Sequence, residues 1–263
     1  HVNLYLFNKD QSFSKQQSGD HLPFNQRSVA FRKSIFKIQI MPGEKKEAVM
    51  EIKNDGEKNS LPLNLISQES FLNFTYYDQL AMGVFYGILF IISVTYLFFY
   101  FALSERIFLY YTLYVASVGI CQFALDGFFH QYIDQSTSWF NLHAVILSAL
   151  AGSFFFGKYS ELVLDTQSRS KVIHAAFKVL YVFLGLIFLG VLLFPSFLPF
   201  SYPAVNILTV LGMLLIVGAI LTIILKKQPL DLFYTFGISI LFVCFSLAIL
   251  LNFGLITSFT LEN

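Results

Sequence analysis

Six long apolar runs constrain this chain more than any other feature: about 82–103, 107–125, 139–156, 173–194, 203–225 and 230–252. A helix rises 1.5 Å per residue, so crossing roughly 30 Å of hydrocarbon takes about 20 residues. Five runs meet that length, and the third, about 18 residues, lies within the workable range of roughly 17–25. None alternates with period two over repeated ten-residue segments, which argues against a transmembrane barrel. Composition agrees. Charged residues make up 13% of the chain, about half the roughly 25% usual in soluble domains. A 56% hydrophobic content excludes disorder. The net charge of +1 gives no reason to invoke nucleic acid.

Charge also divides the chain. Residues 1–78 hold ten of the 17 Lys and Arg and nine of the 16 Asp and Glu, which marks a polar domain ahead of a membrane domain. Within the membrane part, Arg106 follows the first run, Lys158, Arg169 and Lys171 the third, and Lys226 and Lys227 the fifth. Lys178 can snorkel to the same side. The connections after the second and fourth runs hold no Lys or Arg, so the positive-inside rule puts the polar domain outside. Trp139 and Tyr132 suit an aromatic belt at the outer interface.

In the outer domain the period changes to two. Val2, Leu4 and Leu6 alternate with Asn3 and Tyr5, Phe36, Ile38 and Ile40 with Lys37 and Gln39, and Ala48, Met50 and Ile52 with Glu47, Val49, Glu51 and Lys53; Leu61, Leu63 and Leu65 close the series. Turn residues at Ser18-Gly19-Asp20, Pro42-Gly43 and Asn54-Asp55-Gly56 separate them. The expectation is four half-buried antiparallel strands, marginal as a complete sandwich. A first residue other than Met and six crossings that begin outside read as a fragment. Gly254-Leu255-Ile256-Thr257-Ser258 then leads towards a seventh span.

Signals for catalysis, metals or cofactors are not found. No H-E-x-x-H, Walker loop, G-x-S-x-G or C-x-x-C occurs. Cys121 and Cys244 lie in apolar runs, without a disulfide framework or zinc spacing. His143 and His174 stand near opposite ends of different spans and read as interfacial packing. Gly152-Ser153 reads as small-residue packing, and Asn206 and Asn252 as interhelical hydrogen-bonding residues. Each acid of the membrane half is placed in a loop or at a span end, which gives a transporter little support. The outer loop Asp126-Gly127-Phe128-Phe129-His130-Gln131-Tyr132 joins a carboxylate, an imidazole and aromatics at a glycine turn. Its bland reading is a span terminus with belt aromatics. Its sharper reading makes Asp126, His130 and Tyr132 contacts to the outer domain or to its ligand.

Two groups of motifs give the chain a wider resemblance. The first is Ser18-Gly19-Asp20-His21-Leu22-Pro23-Phe24 with Arg27, Phe36-Lys37-Ile38, Met41-Pro42-Gly43-Glu44 and Leu61-Pro62-Leu63. The second is Gln79-Leu80, Gly83, Tyr86-Gly87-Ile88-Leu89, Ser104-Glu105-Arg106, Phe108-Leu109-Tyr110-Tyr111, Asp126-Gly127 and Gln131-Tyr132. In this order they resemble the bacterial seven-transmembrane receptors with diverse intracellular signalling modules. The resemblance implies a jelly-roll-like outer domain binding carbohydrate or another small ligand. It also implies an inner-membrane location and a cytoplasmic kinase, cyclase or phosphatase, in cis or in trans, with a homodimer if the output is a kinase.

The expected fold class is thus a partial antiparallel β-sandwich followed by an α-helical bundle of at least six transmembrane helices. Residues 1–70 are the C-terminal part of the extracytoplasmic β ligand-binding domain and 71–81 a connector. Residues 82–252 are six spans and 253–263 an external turn. The expected function is a membrane receptor, not an enzyme in this chain, in contact with the lipid bilayer. The connector carries the ligand's signal through Phe71 and Tyr76-Tyr77-Asp78. The alternative is a small-solute transporter with an outer substrate-capturing domain.

Overall fold

The computed structural model describes residues 1–7, 12–53 and 63–252, the side chains of 195, 245, 246 and 248–252 excepted. The turn expected at Asn54-Asp55-Gly56, Leu61 of the expected fourth strand and the turn at 253–263 lie outside those residues.

Strands β1 (Val2–Phe7), β2 (Phe13–Ser18) and β3 (Glu47–Ile52) form one antiparallel sheet in the order β2-β1-β3. Val2 stands opposite Ser18 and Ile52, and Phe7 opposite Phe13 and Glu47. Alternation along β1 buries Leu4 and Leu6 on one face, as expected. The strand set differs from the expectation. Phe13-Ser14-Lys15-Gln16-Gln17-Ser18 has no apolar alternation, yet it pairs along the whole of β1. Residues 36–40 alternate well but lie outside the ladder. The Gln16 side chain takes their place beside β2: its Nε2 donates to the Lys37 carbonyl at 2.7 Å and its Oε1 accepts from the Lys37 N–H at 3.1 Å. Residues 63–65 form no strand either.

Every apolar run becomes a helix: α1 (Gln68–Leu103), α2 (Arg106–Leu125), α3 (Trp139–Val163), α5 (Lys171–Leu193), α6 (Leu198–Leu225) and α7 (Leu232–Asn252), with a single turn, α4 (Thr166–Arg169), between α3 and α5. By length and hydropathy the first five are full candidate spans, and the shorter apolar stretch Leu232–Cys244 marks the sixth. Three helices outrun their apolar windows, because hydropathy detects the hydrocarbon crossing and not the helix. α3 continues to Val163 and α6 begins at Leu198, which places Pro203 in its opening turns.

α1 starts 14 residues before its expected span. Ser67 caps it, Oγ accepting from the Ser70 N–H at 3.2 Å, and Glu69 suits the positive end of the dipole. The connector is therefore helical, and a 36-residue helix is about 54 Å long, well beyond the hydrocarbon.

The core sits among α3, α5 and α6, where Ile146 and Leu150 meet Phe177 and Leu184 and then Val205, Met213 and Ile216. Lipid is as apolar as these side chains, so close van der Waals packing and interhelical hydrogen bonds hold the helices. The small pair expected in α3 serves both. A Cβ on Gly152 would meet Ser117 Cβ at 3.6 Å, and Ser153 Oγ lies 2.9 Å from Thr209 Oγ1 of α6. Asn206, expected between helices, is exposed on α6.

Candidate functional site

One buried cationic side chain links the outer domain to two helices of the bundle. Arg32, in the segment between β2 and β3, is 5% exposed. Its guanidinium forms an ion pair with Asp78 of α1 and donates through Nη1 to the Asp126 carbonyl, 2.9 Å away at the end of α2. It also lies 4.5 Å from the centre of the Phe128 ring, a cation–π distance. One side chain therefore ties the outer domain to two helices at once. Lys33 adds a longer contact to Asp78 at 3.4 Å, and Phe31 packs edge-on against Phe71 of α1 at 5.4 Å.

Asp126 locks the helix ends beneath. Its carboxylate accepts from Tyr86 Oη of α1 at 2.5 Å and from Gln122 Nε2 at 3.2 Å. Gly127 follows with φ +79°, and a Cβ there would stand 2.7 Å from the Arg32 carbonyl oxygen. Only glycine admits both that backbone and that approach.

A turn of π-helix, Phe129–Ile133, then carries His130 under the outer domain, 2% exposed. Its Nε2 lies 3.0 Å from the Leu22 carbonyl, and its Nδ1 meets the Asn141 amide. The same amide donates to the Ser136 carbonyl at 3.2 Å, which fixes its NH2 towards the ring. The imidazole is thus matched as the neutral Nε2–H tautomer, and burial, followed by the charge of Arg27, holds it below its ordinary pKa. Phe24 rests on the ring, and its N–H donates to Gln135 O at 2.8 Å. Arg27 pairs with Asp20 at 2.8 Å and donates to the Phe31 carbonyl at 2.9 Å, which shapes the loop that presents Arg32.

Of the three outer-loop candidates, Asp126 and His130 are held in this junction. Tyr132 stays 62% exposed, stacked on Phe128. Asp78 was expected in the connector, and its partner Arg32 carries no local signal. A cation in a loop between strands looks solvated until the fold brings an acid to it from 46 residues away.

The sheet face opposite Leu4 and Leu6 is a second feature. Asn3 donates to Glu51 Oε2 at 2.8 Å and accepts from Gln17 Nε2 at 2.9 Å, while Tyr5 Oη donates to Glu51 Oε2 at 3.2 Å. These hydrogen bonds and nearby Lys53 hold the Glu51 carboxyl below its ordinary value. Phe13 packs against Phe7 and Tyr5 and is 59% exposed.

At the cytoplasmic end Glu161, expected at a span end, stands in the last turn of α3 and is 6% exposed. Lys158 reaches it at 2.9 Å, Tyr181 Oη donates to it at 3.1 Å, and His174 of α5 pairs with its other oxygen. His143 stacks on Trp139 and its Nδ1 lies 2.7 Å from the Trp139 carbonyl. The two histidines thus sit apart, His143 stacked on an aromatic ring and His174 held against the Glu161 carboxylate.

A family model described as 7TM diverse intracellular signalling matches residues 78–263, and one described as 7TMR-DISM extracellular 2 matches residues 1–67. No curated protein and no solved structure matches the chain.

Proposed function

The chain belongs to the seven-transmembrane receptors with diverse intracellular signalling modules, and from that premise we propose that it senses a small polar ligand, carbohydrate the first class to test, outside a bacterial inner membrane. Binding biases the helix bundle towards one arrangement, and a cytoplasmic module in cis or in trans reads that bias. The observation that carries the proposal is the buried Arg32, joined at once to Asp78 of α1 and Asp126 of α2. A ligand shifts such an equilibrium only by its differential affinity for two states, typically about 1–3 kcal/mol.

The sheet face with Tyr5, Glu51 and exposed Phe13, braced from within by buried Asn3, sets polar groups beside an aromatic surface, the combination a sugar needs. Asp126 and His130 act as positioning residues for the junction, and exposed Tyr132 is the loop residue open to ligand. Transport is the weaker reading. It calls for a carboxylate free to load and unload within the membrane, and Glu161 is engaged by Lys158, His174 and Tyr181.

The chain has one tryptophan, Trp139, at the outer end of α3. Titrating mono- and oligosaccharides onto the detergent-solubilised protein, with calorimetry for binding and Trp139 emission for the bundle, tests the proposal. Binding with an emission change is expected. Arg32→Ala keeps the calorimetric signal and loses most of the emission change. No binding across the panel removes the ligand class. An emission change undiminished in Arg32→Ala removes the route. Saccharide uptake into sealed vesicles containing only this chain moves transport to first place.

A further inference from the structure

His130 is buried where the outer domain rests on the loop leading into α3, and both of its ring nitrogens are engaged. The Leu22 carbonyl of the outer domain takes an N–H from Nε2, and the Asn141 NH2 takes a lone pair on Nδ1. One protonation state answers both partners, the neutral ring. Beside it the Phe24 N–H donates to the Gln135 carbonyl at 2.8 Å, so side chain and backbone close the same seam. The Phe24 ring stands edge-on to the imidazole at 5.7 Å.

An imidazolium does not fit this seam. With a proton on Nδ1, two donors face each other, the ring and the Asn141 NH2. Asn141 can turn its oxygen to the ring only by withdrawing its NH2 from the Ser136 carbonyl. The charged groups around the ring add to the penalty. From the outer domain, the Arg27 side chain is 1% exposed and that of its partner Asp20 is 70% exposed, so the cation acts through protein and the anion largely through water. From the loop, Asp134 is engaged by Ser136 and Ser138. α3 presents the uncharged Asn141. Burial, followed by the Arg27 charge, accordingly holds the closed-seam pKa below the ordinary value. An opened seam gives the ring to water, where an imidazole takes its proton at about pH 6.5. The proton therefore binds the open seam more tightly than the closed one, and such a difference is what lets an effector shift an equilibrium.

We propose that protons outside the membrane are a second input to this receptor: acid protonates His130 and parts the outer domain from the loop at Leu22 and Phe24. The seam lies beside the Arg32 bridge, so external acidity tunes how firmly the outer domain holds the bundle. By linkage, a ligand that favours the closed seam drives the proton off, and acid weakens that ligand by the same factor. The consequence for signalling rests on the junction as the ligand's route. The opening itself does not, and it is measured with no ligand present.

Hydrogen exchange read by mass spectrometry tests it on the whole chain in phosphatidylcholine–phosphatidylglycerol nanodiscs at pH 7.5 and 5, each rate divided by the intrinsic amide rate at that pH. In the wild type, protection of residues 22–27, the Phe24 amide included, is expected to fall severalfold at pH 5, while the amides of β1 keep theirs. His130→Gln offers an N–H to Leu22 and an oxygen to Asn141 at either pH, so it stays protected at both. In a converse variant His130 is kept and the other four histidines, His1, His21, His143 and His174, are changed to Gln. It loses protection as the wild type does, and it decides the matter if His130→Gln leaves the seam open at both values. Protection of 22–27 that is indifferent to pH in the wild type, a pH-dependent loss as large in His130→Gln, or no response in the converse variant overturns the proposal. An equal loss in β1 also overturns it, since acid would then unfold the outer domain and not open the seam.

Discussion

Arg32, Gly127 and His130 all stand at the junction between the outer domain and the bundle and illustrate three ways in which a single residue commits it. For Arg32 the commitment is charge: removing one partner from a buried pair leaves the other uncompensated. For Gly127 it is space. Gly127→Ala sets a methyl 2.7 Å from the Arg32 carbonyl in left-handed backbone, and the conformation alone costs about 1–2 kcal/mol. We expect thermal unfolding in detergent to shift down by several degrees, and limited proteolysis to cut faster in residues 20–33. An unchanged melting curve contradicts the close approach. For His130 the commitment is protonation. Its folded pKa is depressed below the roughly 6.5 of an exposed imidazole, so its contribution is complete above that value. The contribution is lost as pH falls through the folded pKa, when an Nδ1–H would face the Asn141 NH2. Stability measured between pH 7.5 and 5 should decline with falling pH in the wild type, with a smaller slope in His130→Gln. Asp134, held below its ordinary pKa by Ser136 and Ser138, titrates well under that window.

At the scale of elements, α1 matters because it is one rod. The connector, expected to carry the signal, is part of that helix, and a helix transmits rotation as well as displacement. Asp78 and Tyr86 are eight residues apart on the same helix and hold Arg32 and Asp126 respectively. One alanine inserted after Leu80 turns Asp78 by about 100° relative to Tyr86, so both contacts cannot form together. Two glycines inserted after Ile66 lie before the Ser67 cap and leave that geometry alone. With the output module attached, the first insertion should abolish ligand-dependent output. The second should preserve most of it, since the Arg32 bridge remains. If both insertions uncouple alike, the signal runs through the chain connection and not through the bridge. The turns between helices obey simpler rules. Ser104, Asp165 and Lys227 take left-handed backbone at three helix ends on the cytoplasmic side, where a C-cap reverses the chain in few residues.

At the scale of the molecule, the extracellular β-domain, the junction and the polar cluster around Glu161 are stacked along one axis from outside to inside. The lysines and arginines fix the direction of that axis. Single cysteines at Ser136 and Ser168, in right-side-out vesicles with the native cysteines replaced, should separate cleanly. A membrane-impermeant maleimide labels the first at once and the second only after permeabilisation. The reverse pattern would invert the molecule. On the cytoplasmic side of the bilayer, Lys226 Nζ donates to the Arg169 carbonyl at 2.9 Å and Arg169 to the Pro229 carbonyl at 2.6 Å, binding two connections between helices together.

What was legible in the sequence was what solvent enforces locally. Hydrocarbon demands long apolar runs, and all six became helices. The half-buried sheet demands alternation, and Leu4 and Leu6 turned inward. Loop charges gave the orientation, and the outer loop was singled out because its residue types are unusual at a span end. Tertiary structure decided the rest, since its causes lie far apart in the chain. The β2 strand is specified by the neighbour it pairs with, and residues 36–40 lost the ladder to a glutamine side chain. Glu161 was legible as an acid near a span end, yet only the packing of α3 on α5 buried it among Lys158, His174 and Tyr181. Above all, Arg32 becomes the centre of the junction only when α1 and α2 bring Asp78 and the Asp126 carbonyl to it. A salt bridge is a property of two positions in space, and neither residue alone encodes it.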